Sequence, residues 1–180
     1  PYMENMLPVI GNLLCKNPEL AEPPDDMYTH THRGQNITMV VCAPNMLHAW
    51  ECCLRRIITN VTVFHGPKRN RSPGAMDKSV AVLTTYAVLQ SEMRIYGIQS
   101  ILFRTQWSRV VIDSCHNIRA FSSTVYSILK SNIRSRFWWC ISETPHPKSF
   151  DDIINPLSLI RSDQSQNTYN SKQIGAESFV

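Results

Sequence analysis

The sequence has 180 residues, of which 43% are hydrophobic, and this is enough apolar material for one globular domain with a sizeable core. It contains no run of about eighteen apolar residues and no basic-then-apolar N-terminus, so no membrane span and no signal peptide are expected. The net charge of +4 permits a polyanionic partner without requiring one. Because the sequence starts at Pro1 without an initiator Met, we expect it to be a piece of a longer chain.

Five short segments are rich in β-branched, aromatic or cysteine residues and are almost continuously apolar. Strands that are buried on both faces of a parallel sheet have this pattern. The sequence predicts strands, in chain order, at Thr38–Cys42, Val61–His65, Ser79–Thr84, Arg109–Asp113 and Phe137–Ser142. Trp138 and Trp139 are consecutive in the last strand, so we expect both of its faces to be covered there.

Four other segments have the apolar spacing of amphipathic helices. In chain order they are Met6–Cys15, a helix capped by Asn45 that ends at Ile58, a helix capped by Ser122 or Ser123, and a helix capped by Ser149 and bent by Pro156. Strands that alternate with helices predict an α/β fold with a parallel sheet and right-handed crossovers.

Polar segments separate or follow these elements. Residues 17–36 and the basic stretch His65–Lys78 are predicted to be surface loops, and residues 162–180 are almost wholly polar. We therefore expect one domain over residues 1–161 and a flexible tail over residues 162–180.

The six cysteines form no CxxC pair and mostly lie inside apolar runs: Cys15, Cys42, Cys52, Cys53, Cys115 and Cys140. This pattern favours free, buried thiols in a reducing compartment over disulfides.

Five motifs follow one another along the chain. They are "MVVCAPNMLHAWECCLRRI", "VTVFHGPKR", "VAVLTTYAVLQSE", "FRTQWSRVVIDSCHNIRAFSSTVYSIL" and "RFWWCISETPHPKSFDDIINPLSLIR". In this order and spacing, from about Met6 to Arg161, they resemble the first RecA-like lobe of the SWI/SNF-type helicase-like ATPases. Within that family they resemble the branch of repair translocases linked to ubiquitin ligases and of transcription-termination ATPases. The resemblance implies a RecA-like, mainly parallel sheet with helices on both faces, and a family activity of DNA-dependent ATP hydrolysis with Mg²⁺.

This chain departs from the family's sequence at the position of the phosphate loop. In the family, a glycine-rich turn followed by Lys and Thr holds the phosphates and Mg²⁺. By alignment, Asn5 stands in place of the Lys and Met6 in place of the Thr, while Tyr2 and Glu4 occupy glycine positions. Side chains there would block the backbone from the phosphates, and Glu4 would repel them. The family's loop also follows a strand, so we expect this sheet to lack that strand or another segment to take its place.

The acidic box, Asp-Glu-Ala-His in the family, is also altered. Asp113 and His116 are kept, but Ser114 replaces the Glu that activates the attacking water, and Cys115 replaces Ala. A Ser hydroxyl cannot act as that base at neutral pH. We therefore expect a remnant of the catalytic site that binds neither ATP nor Mg²⁺ and holds no other metal ion. Asp113 could still hold Mg²⁺ through water, or it could be a structural acid that accepts hydrogen bonds.

Two groups of residues are candidates for contact with nucleic acid. One lies in the basic loop, where electrostatic contact needs only exposed positive charge, and the other matches the family's Thr-Thr-Tyr motif along the nucleic-acid path. The candidates are Lys68, Arg69 and Arg71 in the loop, and Thr84, Thr85 and Tyr86 in the motif. A solvated loop, and a strand end that caps the next helix, are the simpler alternatives.

Three functions remain open on the sequence. The first is a catalytically inactive lobe that acts as a binding or scaffolding module in a nuclear DNA or chromatin setting. Duplex DNA, chromatin, protein partners or the rest of a longer chain would then be its partners. The second is a fragment of a DNA-dependent ATPase or translocase, and the third is a protein-interaction domain without a nucleic-acid role.

Overall fold

The computed structural model describes residues 37–72, 74–115, 118, 124–142 and 151–160. Several predicted features lie outside this part of the chain. They are the helix Met6–Cys15, the phosphate-loop residues Tyr2, Glu4, Asn5 and Met6, the acidic-box His116, the helix caps Ser122, Ser123 and Ser149, and the tail over residues 162–180.

The described residues form a five-stranded sheet in which every pairing is parallel. The strands lie in the order β2-β3-β1-β4-β5. They are β1 (Thr38–Cys42), β2 (Val61–Val63), β3 (Ala81–Thr85), β4 (Gln106–Ile112) and β5 (Arg134–Cys140). The prediction of a mainly parallel sheet of five or more strands is confirmed.

Five α-helices connect or follow the strands within the described residues. They are α1 (Leu47–Arg55), α2 (Tyr86–Tyr96), α3 (Ile101–Arg104), α4 (Thr124–Asn132) and α5 (Asp151–Ile160), with short 3-10 turns at Pro44–Met46 and Gly97–Gln99. None of the described helices is both long and apolar enough to cross a bilayer.

The sheet separates two apolar cores, because successive side chains of a strand point to opposite faces. Met39 and Val41 of β1 belong to the larger core, into which α2 and α4 contribute buried side chains. Val40 of β1 belongs to the second core, together with Trp50 of α1. Helices on both faces explain why the central strand is apolar along its whole length rather than alternating.

Some predicted boundaries were wrong by a few residues. β2 ends at Val63 instead of His65, because the chain turns at Gly66, whose φ of +75° suits glycine. β4 begins at Gln106, where it pairs with Arg134, so polar residues extend the strand before its apolar run.

Asn45 does not cap α1. It lies inside the 3-10 turn that starts at Pro44, and the residue before the helix is Met46, which makes no side-chain capping bond. The fixed φ of Pro44 favours this early turn. The bounds of α2, and the existence of α3, were not predicted.

The prediction that both faces of β5 are covered at Trp138 and Trp139 was also wrong. Trp138 is buried in the larger core, but the side chain of Trp139 is 39% exposed. Within the described residues β5 pairs only with β4 and so forms an edge of the sheet, and its two buried residues, Ser135 and Trp138, point to opposite faces.

Candidate functional site

The carboxyl ends of three central strands meet at one edge of the sheet. Cys42 of β1 is in register with Thr85 of β3, and Val41 with Ile112 of β4, so Asp113 emerges beside the end of β1, one strand away from the end of β3. Ligands of open parallel sheets bind at this edge. The tertiary structure thus brings together two groups of predicted site residues, the acidic box and the Thr-Thr-Tyr motif.

Asp113 is fully buried and is held by donors from inside the protein. The indole Nε1–H of Trp50 donates to its Oδ2 at 2.8 Å, and its own backbone N–H donates to the carbonyl of Val41 at 2.9 Å. The hydroxyl of Tyr86 donates to its backbone carbonyl. These bonds agree with the structural-acid alternative, since the carboxylate already has a buried partner.

The groups around Asp113 stay protonated at neutral pH. Burial raises the pKa of the Cys42 thiol to about 12, and the negative charge of Asp113 adds to the effect. Burial also raises the pKa of the Tyr86 phenol well above its usual value, again with a contribution from Asp113. Neither group is therefore a ready nucleophile or base.

Ser114 follows Asp113 in an unusual backbone conformation. Its φ of +54° makes it the one non-glycine residue with positive φ among the described positions. This left-handed geometry is uncommon for residues other than Gly, Asn and Asp. The strand therefore ends in a sharp turn at Ser114, and the replacement of the acidic-box Glu by this residue stays a prediction from the sequence.

Two thiols lie next to this turn. A hydrogen bond from Cys140 lowers the pKa of Cys115 below its usual value, against the opposing effect of burial. The same bond, together with burial, raises the pKa of Cys140. No group of three or more His, Cys, Asp or Glu side chains within the described ranges could hold a metal ion.

Thr84 and Thr85 are fully buried and bond within the protein. Thr84 Oγ1 donates to the carbonyl of Phe64 at 3.1 Å. Thr85 Oγ1 accepts from the backbone N–H of Val88 at 3.3 Å and caps α2. The alternative of a strand end that caps the next helix is thus confirmed for Thr85, and contact of this motif with nucleic acid stays a prediction.

The basic loop folds two of its three candidate side chains inward. Arg69 Nε lies 2.7 Å and Arg71 Nε 2.9 Å from Oε1 of Glu92, while Ser100 Oγ donates to Oε2 at 2.6 Å. We call Arg69, Arg71, Glu92 and Ser100 the Glu92 cluster. Arg69 is only 8% exposed and also donates to the carbonyl of Gly66 at 2.6 Å. Lys68 is the candidate of this loop whose side chain is exposed.

Sequence reasoning missed Glu92 as the centre of this cluster. The residue belongs to the "VAVLTTYAVLQSE" motif, and that membership was the only signal that could have drawn attention to it. Burial opposes ionisation of Glu92, but hydrogen bonds from Ser100, Arg69 and Arg71 outweigh it and hold its pKa below the usual value. The carboxylate is therefore charged at neutral pH and fastens the basic loop to α2.

A parallel sheet covered by helices on both faces, with an acidic residue and a capped helix at its carboxyl edge, defines a RecA-like α/β lobe. Residues 17–174 match the SNF2-related domain, so the chain belongs to this family of SWI/SNF-type helicase-like proteins.

Curated relatives are similar over about 70% of this chain. The chain is 27% identical over 134 residues to "DNA repair protein RAD5B" of Arabidopsis thaliana, covering 72% of the chain and 10% of the relative. It is 28% identical over 138 residues to human "Helicase-like transcription factor", covering 74% and 14%. It is 31% identical over 133 residues to "DNA repair protein rad8" of Schizosaccharomyces pombe, covering 69% and 12%. The chain thus spans only about a tenth to a seventh of the length of these relatives.

Solved structures confirm the predicted fold. The "Sulfolobus solfataricus SWI2/SNF2 ATPase core in complex with dsDNA" superposes with a TM-score of 0.60 at 24% identity, covering 71% of this chain and 25% of that one. The core domain of the same ATPase gives a TM-score of 0.57 at 25% identity over the same shares.

Proposed function

We propose that this chain is a SNF2-related lobe that does not hydrolyse ATP and that acts as a binding or scaffolding module on DNA or chromatin. One observation carries this function. Ser114 makes the left-handed turn after β4, directly after Asp113, whose carboxylate accepts the indole N–H of Trp50. In this proposal Ser114 takes the place of the Glu in the family's acidic box.

Three separate losses act together against ATP turnover. Ser114 removes the base for water activation. Asn5 and Met6 remove the phosphate-loop Lys and the hydroxyl for Mg²⁺. Losing a buried charge-assisted contact costs about 2–5 kcal/mol, so two such losses weaken binding by roughly three orders of magnitude or more. We expect this chain to bind Mg-ATP no more tightly than about millimolar.

Duplex DNA is the partner that the comparisons favour. Relatives are named as DNA repair proteins, and the superposed ATPase core is described in complex with double-stranded DNA. These names also support a nuclear setting. Among the three candidates of the basic loop, Lys68 is the exposed one that can reach a phosphate, since Arg69 and Arg71 bond to Glu92.

Hydrolysis is tested by calorimetric titration with Mg-ATP and by phosphate release, each with and without duplex DNA. Wild type and the Asn5→Lys/Ser114→Glu double variant are compared. We expect no micromolar binding and no release above the buffer background for wild type. Micromolar binding would contradict the account of the phosphate loop, and release by wild type would favour the ATPase-fragment alternative.

DNA binding is tested separately, by measuring affinity for duplex DNA at several salt concentrations. A DNA module loses affinity steeply with salt, because phosphate contacts release counterions. Lys68→Ala should reduce the salt slope by about one, and Arg104→Ala, which removes an exposed charge on α3, serves as the matched control. Absence of any salt-dependent binding would favour the protein-interaction alternative.

A further inference from the structure

Cys115 and Cys140 lie at the carboxyl ends of neighbouring parallel strands. Cys140 is the last residue of β5 and pairs with Ile112, three residues before Cys115. The backbone N–H of Cys115 donates to the carbonyl of Ile141 at 2.9 Å, and the N–H of Ile141 donates to the carbonyl of Ile112 at 2.9 Å. These bonds fix the two segments side by side, and both side chains pack in the larger core, where Cys140 Sγ lies 4.0 Å from the carbonyl oxygen of Pro156.

We propose that Cys115 and Cys140 form a reversible intramolecular disulfide on exposure to a hydroperoxide, which makes the turn after β4 a site of oxidative modification. Both thiols are free in this structure. A disulfide requires the sulfur atoms to close to about 2.05 Å, and two side chains that pack in one core from adjacent, hydrogen-bonded segments need little backbone movement to do so.

The reaction balances with the hydroperoxide as the only oxidant. The thiolate of Cys115 attacks one peroxide oxygen, the O–O bond breaks, and the leaving oxygen departs as water or alcohol after taking up a proton. The thiol of Cys140 then attacks the resulting sulfenic sulfur of Cys115 and displaces hydroxide, which takes up the proton of that thiol and leaves as water. With hydrogen peroxide, two thiols and one peroxide give one disulfide and two waters.

The other described cysteines are poorer partners for this bond. Cys42 is buried and its thiol contacts the carbonyl of Thr84 at 3.7 Å. Cys52 is exposed on α1 beside His48, with 3.5 Å between Sγ and Nε2, so it is accessible to oxidants and provides an internal comparison. Cys53 is buried on the same helix.

The new bond would join the end of β5 to the turn that carries Asp113 and Ser114. The left-handed residue Ser114 would then lie within a cross-linked edge of the sheet. This modification requires neither nucleotide nor DNA, so its test is independent of the proposed binding function.

The experiment treats the fully reduced 180-residue chain with graded hydrogen peroxide, blocks the remaining thiols with an alkylating agent, and maps the peptides by mass spectrometry without reduction. We expect a linked peptide pair that contains Cys115 and Cys140, is lighter by two hydrogen atoms, and disappears with dithiothreitol. The link should be absent from Cys140→Ser and unchanged in Cys52→Ser.

Other outcomes overturn the assignment. Oxidation confined to Cys52, a link from Cys115 to Cys42, or a link only between two chains would each show that the placement of Cys115 beside Cys140 does not direct the chemistry. The mapping on wild type decides the question even where a variant fails to fold. Cys140→Ala provides a second variant without the hydroxyl of Ser.

Discussion

Substitution of Glu92 tests whether the Glu92 cluster stabilises the fold. The carboxylate of Glu92 is fully buried and accepts hydrogen bonds from Arg69, Arg71 and Ser100. Glu92→Gln keeps the shape of the side chain but removes its charge and turns an amide N–H₂ toward donors. The guanidinium of Arg69, which is 8% exposed, is then left without its anionic partner.

The loss of unfolding free energy caused by Glu92→Gln depends on how far water can reach the arginines of the Glu92 cluster. Breaking a buried ion pair by removing one partner costs about 3–5 kcal/mol. Arg71 is 29% exposed and can be rehydrated, whereas Arg69 cannot, so we expect the low end of this range, about 3 kcal/mol. With a urea m-value of about 2 kcal/mol/M, the unfolding midpoint would fall by about 1.5 M.

The assay is urea unfolding followed by tryptophan fluorescence, because Trp50 and Trp107 are both fully buried. The matched control is Glu51→Gln, which breaks the surface pair between Glu51 and Arg55 and should cost less than about 0.5 kcal/mol. If Glu92→Gln costs no more than this control at an unchanged m-value, the cluster does not stabilise the protein and the reasoning is refuted.

Three further predictions use the same unfolding measurement. Folding lowers the pKa of Glu92, so the stabilisation that this carboxylate provides is present above its unfolded pKa of about 4.3 and is lost as pH falls through the lower folded pKa. Glu92→Gln should therefore flatten the acid side of the profile of unfolding free energy against pH, and an unaltered profile would contradict this. Trp50→Phe removes the indole donor to the buried carboxylate of Asp113 and should lower the free energy of unfolding by about 2 kcal/mol. Asp113→Asn in the Trp50→Phe background should recover part of this loss. Equal stability of Trp50→Phe and wild type would count against a structural role of Asp113. Thr85→Ala removes the cap on the backbone N–H of Val88 and should cost about 1 kcal/mol, while Thr85→Ser keeps the hydroxyl and should cost less; the reverse order would exclude capping as the cause.

The sheet could be predicted from the sequence because its signal is local. A strand buried on both faces needs a continuous apolar run, and Thr38–Cys42 was predicted with the bounds that the structure has. The edge strands β2 and β5 were placed less accurately, since their ends depend on pairing and turns: Gly66 ends β2 early, and β5 already begins at Arg134, where it pairs with Gln106. The exposure of Trp139 was mispredicted because coverage of a face depends on elements distant in sequence.

The order of the motifs by itself determined the family and fold class, whereas Ser114 in place of the acidic-box Glu stays a prediction. Only the tertiary structure decided which side chains meet at the site. The indole of Trp50 reaches Asp113 from 63 residues away, and Glu92 turns two arginines of a basic loop inward from more than 20 residues away. Residue type and spacing in the sequence indicate the local conformation and which chemical groups are available. A buried charge, however, is stable only where folding brings a partner to it, and long-range packing determines which residue that partner is.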